Sequence, residues 1–274
     1  MSATREVARV GYSIEALLGL MRALRSDQGG CPWDREQTHQ SLARFTIEEA
    51  HEAAQAMRGT DAAELCDELG DLLLQVVFHA QIASEAGTFS FPDVVRSICE
   101  KMTRRHPHVF GLAASNDEAA RQAVWEADKV AARNTKAEAG QSVLDGVPAT
   151  LPALMRADKL ARRAAQVGFD WKESDRVWDK IDEEFAELRE AVTTGDADRI
   201  EDEMGDVLFV LTNLARHLGV DAETALQRTN EKFTRRFKGV EHRAAERGMA
   251  LKSLRLEDME RFWAEVKLAE RKGD

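Results

Sequence analysis

Two sets of carboxylates recur in this 274-residue chain at spacings suited to building a metal cage. Glu48, Glu49 and Glu52 form an EExxE motif, and Glu68 and Asp71 follow as ExxD. Glu183, Glu184 and Glu187, then Glu203 and Asp206, repeat the pattern. In each set the first Glu of EExxE precedes the Glu of ExxD by 20 residues. Residues three and four apart share a helix face, so Glu49 with Glu52 and Glu68 with Asp71 make two acidic ridges. Two antiparallel helices joined by a short turn would bring those ridges together. Each ExxD also opens the most apolar segment of its copy, ELGDLLLQVV and EMGDVLFVL, on or beside a core-facing stripe. Four converging carboxylates cannot all stay ionised there without a cation. Hard divalent ions with oxygen ligands fit, Mg²⁺ first and Mn²⁺ as its substitute. The competing reading is a pair of solvated acidic helix faces, which duplication and the apolar flanks disfavour. A di-iron carboxylate bundle would use Glu-x-x-His, which Glu48 and His51 form once. The second copy has Ala186 at that place, and His79 aligns with Leu214, so both histidines read as ordinary core or surface residues.

A second group of residues suits phosphate. Lys232 and Arg236 are four apart on one helix face, and Lys101 with Arg105 repeats them. Trp263 and Lys267 make another such pair. A metal bridging phosphate oxygens, cations holding the remaining oxygens and an indole against a base would together hold a nucleoside polyphosphate. Solvated surface cations and a packed tryptophan remain open as the plainer reading. The sequence has no P-loop, no GxGxxG, no Ser–His–Asp signature and no Cys/His cluster with zinc spacing.

The elements that position these groups are helical. Leu65, Leu69, Leu72, Leu73, Val76 and Val77 recur at spacings of three and four, as do Met204, Val207, Leu208, Leu211 and Leu214. Asp34 or Ser41 is the expected start of the first long helix, and Thr60 or Asp61 the N-cap of the next. No alternating strand stands out. DELGDLL (67–73) against DEMGDVL (202–208), and EKMTRRH (100–106) against EKFTRRF (231–237), each match at five of seven positions. Trp125 with Lys129 and Trp263 with Lys267 close the two copies. The expected fold is all-α, two tandem helical bundles over 12–132 and 148–274 joined by a polar linker at 133–147.

Forty-nine acidic against 38 basic residues give a net charge of −11, which argues against nonspecific binding to nucleic acid or an anionic membrane. The longest uncharged run, Leu72–Ser84, has 13 residues, too short to span a bilayer. The N-terminus has no apolar signal core, and three cysteines without a CxxC suit reduced thiols, so a cytoplasmic protein is expected.

Taken together, GCPWDREQT (30–38), the paired EExxE and ExxD motifs, RRHPHVF (104–110), VGFDW (167–171), NLARHLG (213–219) and NEKFTRRF (230–237) resemble the MazG family. The likeness runs from about residue 12 to 270 and places the chain in the all-α NTP pyrophosphatase superfamily. It implies Mg²⁺-dependent cleavage of nucleoside triphosphates to monophosphate and pyrophosphate, broad base tolerance and a homodimer. Clearance of non-canonical nucleotides is compatible with it. It further implies metal ligation by Glu184, Glu187, Glu203 and Asp206, and phosphate or nucleotide contacts from Lys180, Lys232, Arg236, Trp263 and Lys267. Glu183 or Glu184 would accept the proton of the attacking water. Glu49, Glu52, Glu68 and Asp71 form the second candidate metal set. The alternative from another class is a regulatory or scaffold protein that binds nucleotides with little turnover.

The C-terminal copy is the expected main catalyst. Aligning the motifs without gaps places Lys180 on Phe45, Glu201 on Cys66, Thr212 on Val77, Asn213 on Phe78 and Asn230 on Cys99. At all five the second copy is polar where the first is apolar or a thiol.

Overall fold

The computed structural model describes residues 11–110, 142–171 and 174–273. It divides into two compact units, Met1–Asp128 and Lys129–Asp274. Every regular element among the described residues is helical. Trp125, Lys129 and residues 133–141 of the expected linker lie outside the described residues. The rest of that linker is a turn, closed by Ser142 N donating to Asp145 Oδ2 at 2.9 Å. Arg163 ties this turn to the next helix by donating to the carbonyls of Val143 and Asp145, at 3.4 and 2.5 Å.

The first unit contains α1 (Ile14–Leu24), α2 (Pro32–Glu36), α3 (His39–Ala56), α4 (Ala62–Glu85), α5 (Phe91–Arg105) and α6 (Pro107–Phe110). The first long helix, α3, starts at neither Asp34 nor Ser41. Thr38 is its N-cap, and Ser41 is the third residue of a reciprocal box. Thr38 Oγ1 accepts from Ser41 N at 3.1 Å and Ser41 Oγ from Thr38 N at 2.9 Å. Such a box satisfies two of the free amides at a helix start. Asp61 rather than Thr60 caps α4, accepting from Ala63 N at 2.8 Å. The GCPWD segment is held by Arg25, whose side chain is buried. It donates to the carbonyls of Asp34 and Gln37 and pairs with Glu85 at 2.6 Å.

The second unit contains α7 (Ala153–Gln166), α8 (Ser174–Thr194), α9 (Ala197–His217), α10 (Ala222–Glu246), a 3₁₀ turn (Leu251–Ser253) and α11 (Leu256–Gly273). The plan of the first unit returns at the α8–α9 corner. Gly195 takes a positive φ of 72°, open to glycine at little cost, and Asp196 then caps α9. Between α10 and α11, a Cβ on Gly239 would meet Val266 Cγ2 at 2.8 Å, so only glycine allows this approach.

The central helix pair of each unit is antiparallel. In the first unit Thr46 lies 3.5 Å from Gln75 and His39 2.8 Å from His79, so later residues of one helix meet earlier residues of the other. In the second, Glu190 pairs with Arg199 at 3.2 Å while Val177 and Ile181 pack with Val210 and Leu214. The buried side of α4 is Val77, Phe78, Ala80 and Ala83, set against Met21 and Leu42. Of the stripes expected to face the core, Val77, Val207 and Leu214 are buried, whereas others point outward. Leu69, Leu73 and Val76 are exposed at 43%, 41% and 39%, and their counterparts Met204, Leu208 and Leu211 at 44%, 49% and 38%. The helices carry apolar residues on more than one face, so spacing alone could not pick the face that meets the core.

No helix among the described residues is long and apolar enough to cross a membrane.

Candidate active site

The α3–α4 and α8–α9 pairs each assemble a carboxylate cage. In the first unit oxygens of Glu49, Glu68 and Asp71 lie within 4.8 Å of one another, and in the second those of Glu184, Glu203 and Asp206 do the same. Glu52 and Glu187 stand outside these triads, although their charges act on them. Burial, then Glu184, Glu203 and Glu183, raises the Glu187 carboxyl above the usual range, with Lys180 opposing. Burial followed by the neighbouring acids also raises Glu49 and Glu68. Asp71 and Asp206 are exposed, so each cage opens to solvent on that side.

Glu184 is the buried member of its cage, with its side chain 8% exposed. Lys180 Nζ lies 2.7 Å from Glu184 Oε1 and 2.9 Å from Glu183 Oε1. These hydrogen bonds, Glu184 first, hold the Lys180 ammonium well above its ordinary pKa. The other oxygen, Glu184 Oε2, is the one buried side-chain polar atom among the described residues without a hydrogen-bond partner. A carboxylate oxygen stripped of water and left unpaired is costly, and a divalent cation would offset that cost. The oxygen-only donor set suits a hard ion. The residues present therefore fit a metal. Arg199 stands beside Glu203 at 3.6 Å and beside Glu190 at 3.2 Å.

The cationic and aromatic residues gather on the α10–α11 hairpin. Arg236 is largely buried, donates from Nε to Glu270 Oε2 at 2.8 Å and lies with its Cζ 5.9 Å from the Trp263 ring centre. Phe233 meets the same indole at 5.3 Å. Trp263 is half-buried at the edge of the Val240–Ala244–Phe262 core. Arg235, Lys232 and Lys267 are exposed. Arg235 nevertheless shares Glu270 with Arg236, at 3.1 Å, a pairing the motif spacing did not reveal.

A family model described as the MazG nucleotide pyrophosphohydrolase domain matches residues 37–110 and, a second time, 173–241. The chain is 48% identical over 261 residues to the nucleoside triphosphate pyrophosphohydrolase of Escherichia coli (strain K12), covering 94% of this chain and 98% of that protein. The chain belongs to the MazG family. It is 42% identical over 257 residues to the nucleoside triphosphate pyrophosphohydrolase/pyrophosphatase MazG of Thermotoga maritima, across 94% of this chain and 96% of the relative. It is also 45% identical over 263 residues to YabN of Bacillus subtilis, across 96% of this chain and 53% of that protein.

Within this MazG chain the two copies differ where they flank their cages. Phe45 replaces Lys180 and packs edge-on against Trp33, with centroids 6.0 Å apart. Below the first cage runs a polar line. His39 and His79 share a 2.8 Å contact between Nδ1 atoms, and Thr46 Oγ1 lies 3.2 Å from His79 Nε2. Burial, then His39, lowers the His79 pKa. The counterparts of Thr46, Gln75 and His79, which are Ile181, Val210 and Leu214, are core in the second unit. His79 thus belongs to a hydrogen-bonded pair, while His51 is exposed and in neither cage. Of the five positions where the second copy is polar, Thr212 and Asn213 turn out to be buried. Thr212 donates to the Leu208 carbonyl at 2.8 Å, and Asn213 accepts from Arg216 Nε at 2.9 Å. Asn213 thereby holds Arg216, which also pairs with Asp170 at 2.5 Å. Glu201 and Asn230 are exposed. Lys180 is the one of the five in contact with the cage.

Proposed function

We propose that this MazG-family chain hydrolyses nucleoside triphosphates between the α- and β-phosphates, releasing monophosphate and pyrophosphate, and that the second unit carries most of the turnover. The observation that supports it best is Glu184, buried in a three-carboxylate cage with one oxygen on Lys180 and the other unpaired. Glu184, Glu203 and Asp206, with Glu187 beside them, would hold a divalent ion, Mg²⁺ by preference and Mn²⁺ as a substitute. When bound, such an ion polarises phosphate oxygens and makes a coordinated water more acidic. Glu183 lies outside the cage with its side chain 56% exposed, and it is the carboxylate left to accept the proton of the attacking water. Lys180, Lys232, Arg236 and Lys267 would neutralise phosphate oxygens, Arg236 with its guanidinium already oriented by Glu270. Stacking on Trp263 reads the face of a base and not its edges, which supports broad base tolerance. The enzyme works in the cytoplasm in this reading.

A phosphate-release assay with each NTP, with and without added inorganic pyrophosphatase, tests the activity. Phosphate is expected to appear only when the pyrophosphatase is present. Absence of release with every NTP under both Mg²⁺ and Mn²⁺ would hand the protein to the regulatory nucleotide-binding reading.

The exposed stripes support a homodimer. Leu69, Leu73 and Val76 in one unit and Met204, Leu208 and Leu211 in the other occupy the same repeat positions and are exposed large apolar side chains among the described residues. A two-fold partner is the commonest cover for such faces. Light scattering at micromolar concentration is expected to return twice the 30.6 kDa chain mass. A value near a single chain refutes the dimer.

A further inference from the structure

We propose that Lys180 is the resident counter-ion of the second carboxylate cage, and that metal enters the cage as Lys180 moves from Glu183 and Glu184 to the triphosphate. The inference rests on the reading of that cage as a metal site. Lys180 spans two carboxylates at 2.7 and 2.9 Å, and its side chain is 32% exposed, so the ammonium has an open route outward. It holds Oε1 of Glu184 while leaving Oε2 unpaired in a buried position. Lys180 therefore neutralises only part of the charge of the cage. Arg199 beside Glu203 adds a second cation on the opposite helix.

The first unit shows the same framework without these cations. Its aligned positions are Phe45 and Glu64, an apolar ring and an acid in place of the two cations, while Glu49, Glu68 and Asp71 still gather their oxygens. The cations of the second cage are thus an addition to the shared plan and not a requirement for folding a helix pair around three acids.

A fixed positive charge a few ångströms from a cation site weakens metal binding. A triphosphate reverses that effect, because its oxygens offer Lys180 a new anionic partner and the cage regains its full charge. Metal and nucleotide then bind as a coupled pair, each raising the affinity for the other. Metal would enter the cage weakly before substrate arrives, which keeps a hydrolytic centre unassembled until there is something to cleave. Lys180 acts here as a positioning residue on Glu183 and Glu184, in addition to any contact with phosphate.

The test is Mn²⁺ binding to the full-length protein without nucleotide, followed by electron paramagnetic resonance of free Mn²⁺. Glu49→Gln and Glu68→Gln are placed in every protein so that the first cage does not contribute. Lys180→Met and Lys180→Gln are both expected to bind Mn²⁺ at least about tenfold more tightly than this background, whereas Lys180→Arg, which keeps the charge, stays close to it. Thermal melts give a second readout. In EDTA the Met and Gln variants melt lower than the background, and saturating Mn²⁺ raises them further than it raises the background. A lysine needed only for packing would lower both melts equally. Unchanged or weaker Mn²⁺ binding in both neutral variants overturns the proposal while leaving the cage intact as a metal site. Failure of the background itself to bind Mn²⁺ even with an α,β-methylene nucleotide triphosphate would instead remove the metal reading, and the proposal with it.

Discussion

Replacing Glu184 and Glu187 together by glutamine is expected to lower kcat for any accepted NTP by about three orders of magnitude or more, while Glu49→Gln with Glu52→Gln lowers it less than about threefold. Both double variants remove two carboxylates from homologous places, so charge count alone predicts equal losses. The surroundings predict the difference. In the second unit Lys180 touches Glu183 and Glu184, and Arg199 flanks Glu203, leaving a cage with cations available to a polyanion. In the first, Phe45 stands at the lysine position, packed against Trp33 with the Arg44 guanidinium 4.4 Å from its ring centre, and Glu64 stands at the Arg199 position, so neither cation of the second cage has a counterpart at its own place. An apolar ring cannot neutralise a phosphate oxygen. Steady-state kinetics of the two double variants, with circular dichroism to confirm helical content, decides between them. Equal losses would assign catalysis to both units, and the polar line of His39, His79, Thr46 and Gln75 would then become a second solution to substrate binding.

Much of this was legible from residue spacing because helices impose a short-range code. EExxE and ExxD fix which acids share a face, and the structure gathers Glu184 with Glu203 and Asp206, and Glu49 with Glu68 and Asp71. The GTD corner at 59–61 marked its own cap in Asp61, and Asp196 caps the corresponding helix of the second copy. What spacing could not settle was orientation about the helix axis. Leu69, Leu73, Val76 and Val77 share the period of a core face, yet only Val77 of these four is buried, beside Phe78 against Met21 and Leu42, while the other three lie outward. The same limit applied to Thr212 and Asn213. Their polarity looked like site chemistry, yet both are buried and satisfied by a carbonyl of their own helix and by Arg216. The sharing of Glu270 by Arg235 and Arg236 links residues 34 and 35 positions apart and left no trace in any motif. Long-range partners of that kind are set by tertiary packing, which local periodicity does not encode.

Glu187→Gln is expected to abolish turnover and, with EDTA present, to melt a few degrees above the wild type at pH 8. The cause is repulsion. Glu187 is half-buried, and Glu184, Glu203 and Glu183 add to burial in holding its carboxyl above the usual range. A carboxyl with a raised folded-state pKa binds protons more tightly folded than unfolded, so ionising it destabilises the fold. That penalty is fully present above the folded pKa and disappears as pH falls towards the unfolded value near 4.5. The advantage of the glutamine variant over wild type should therefore hold at alkaline pH and be lost as the pH falls through the folded pKa towards 4.5. Adding excess Mg²⁺ should reverse the order at pH 8, since the ion compensates the wild-type charges and finds one fewer in the variant. Asp206→Asn removes a triad member outright and is expected to lose both turnover and most of the metal-induced rise in melting temperature. Calorimetry of the three proteins across this pH range, with Mg²⁺ and with EDTA, supplies the comparison. Equal stabilisation of all three by Mg²⁺ would show that the metal binds somewhere other than the cage formed by Glu184, Glu203 and Asp206.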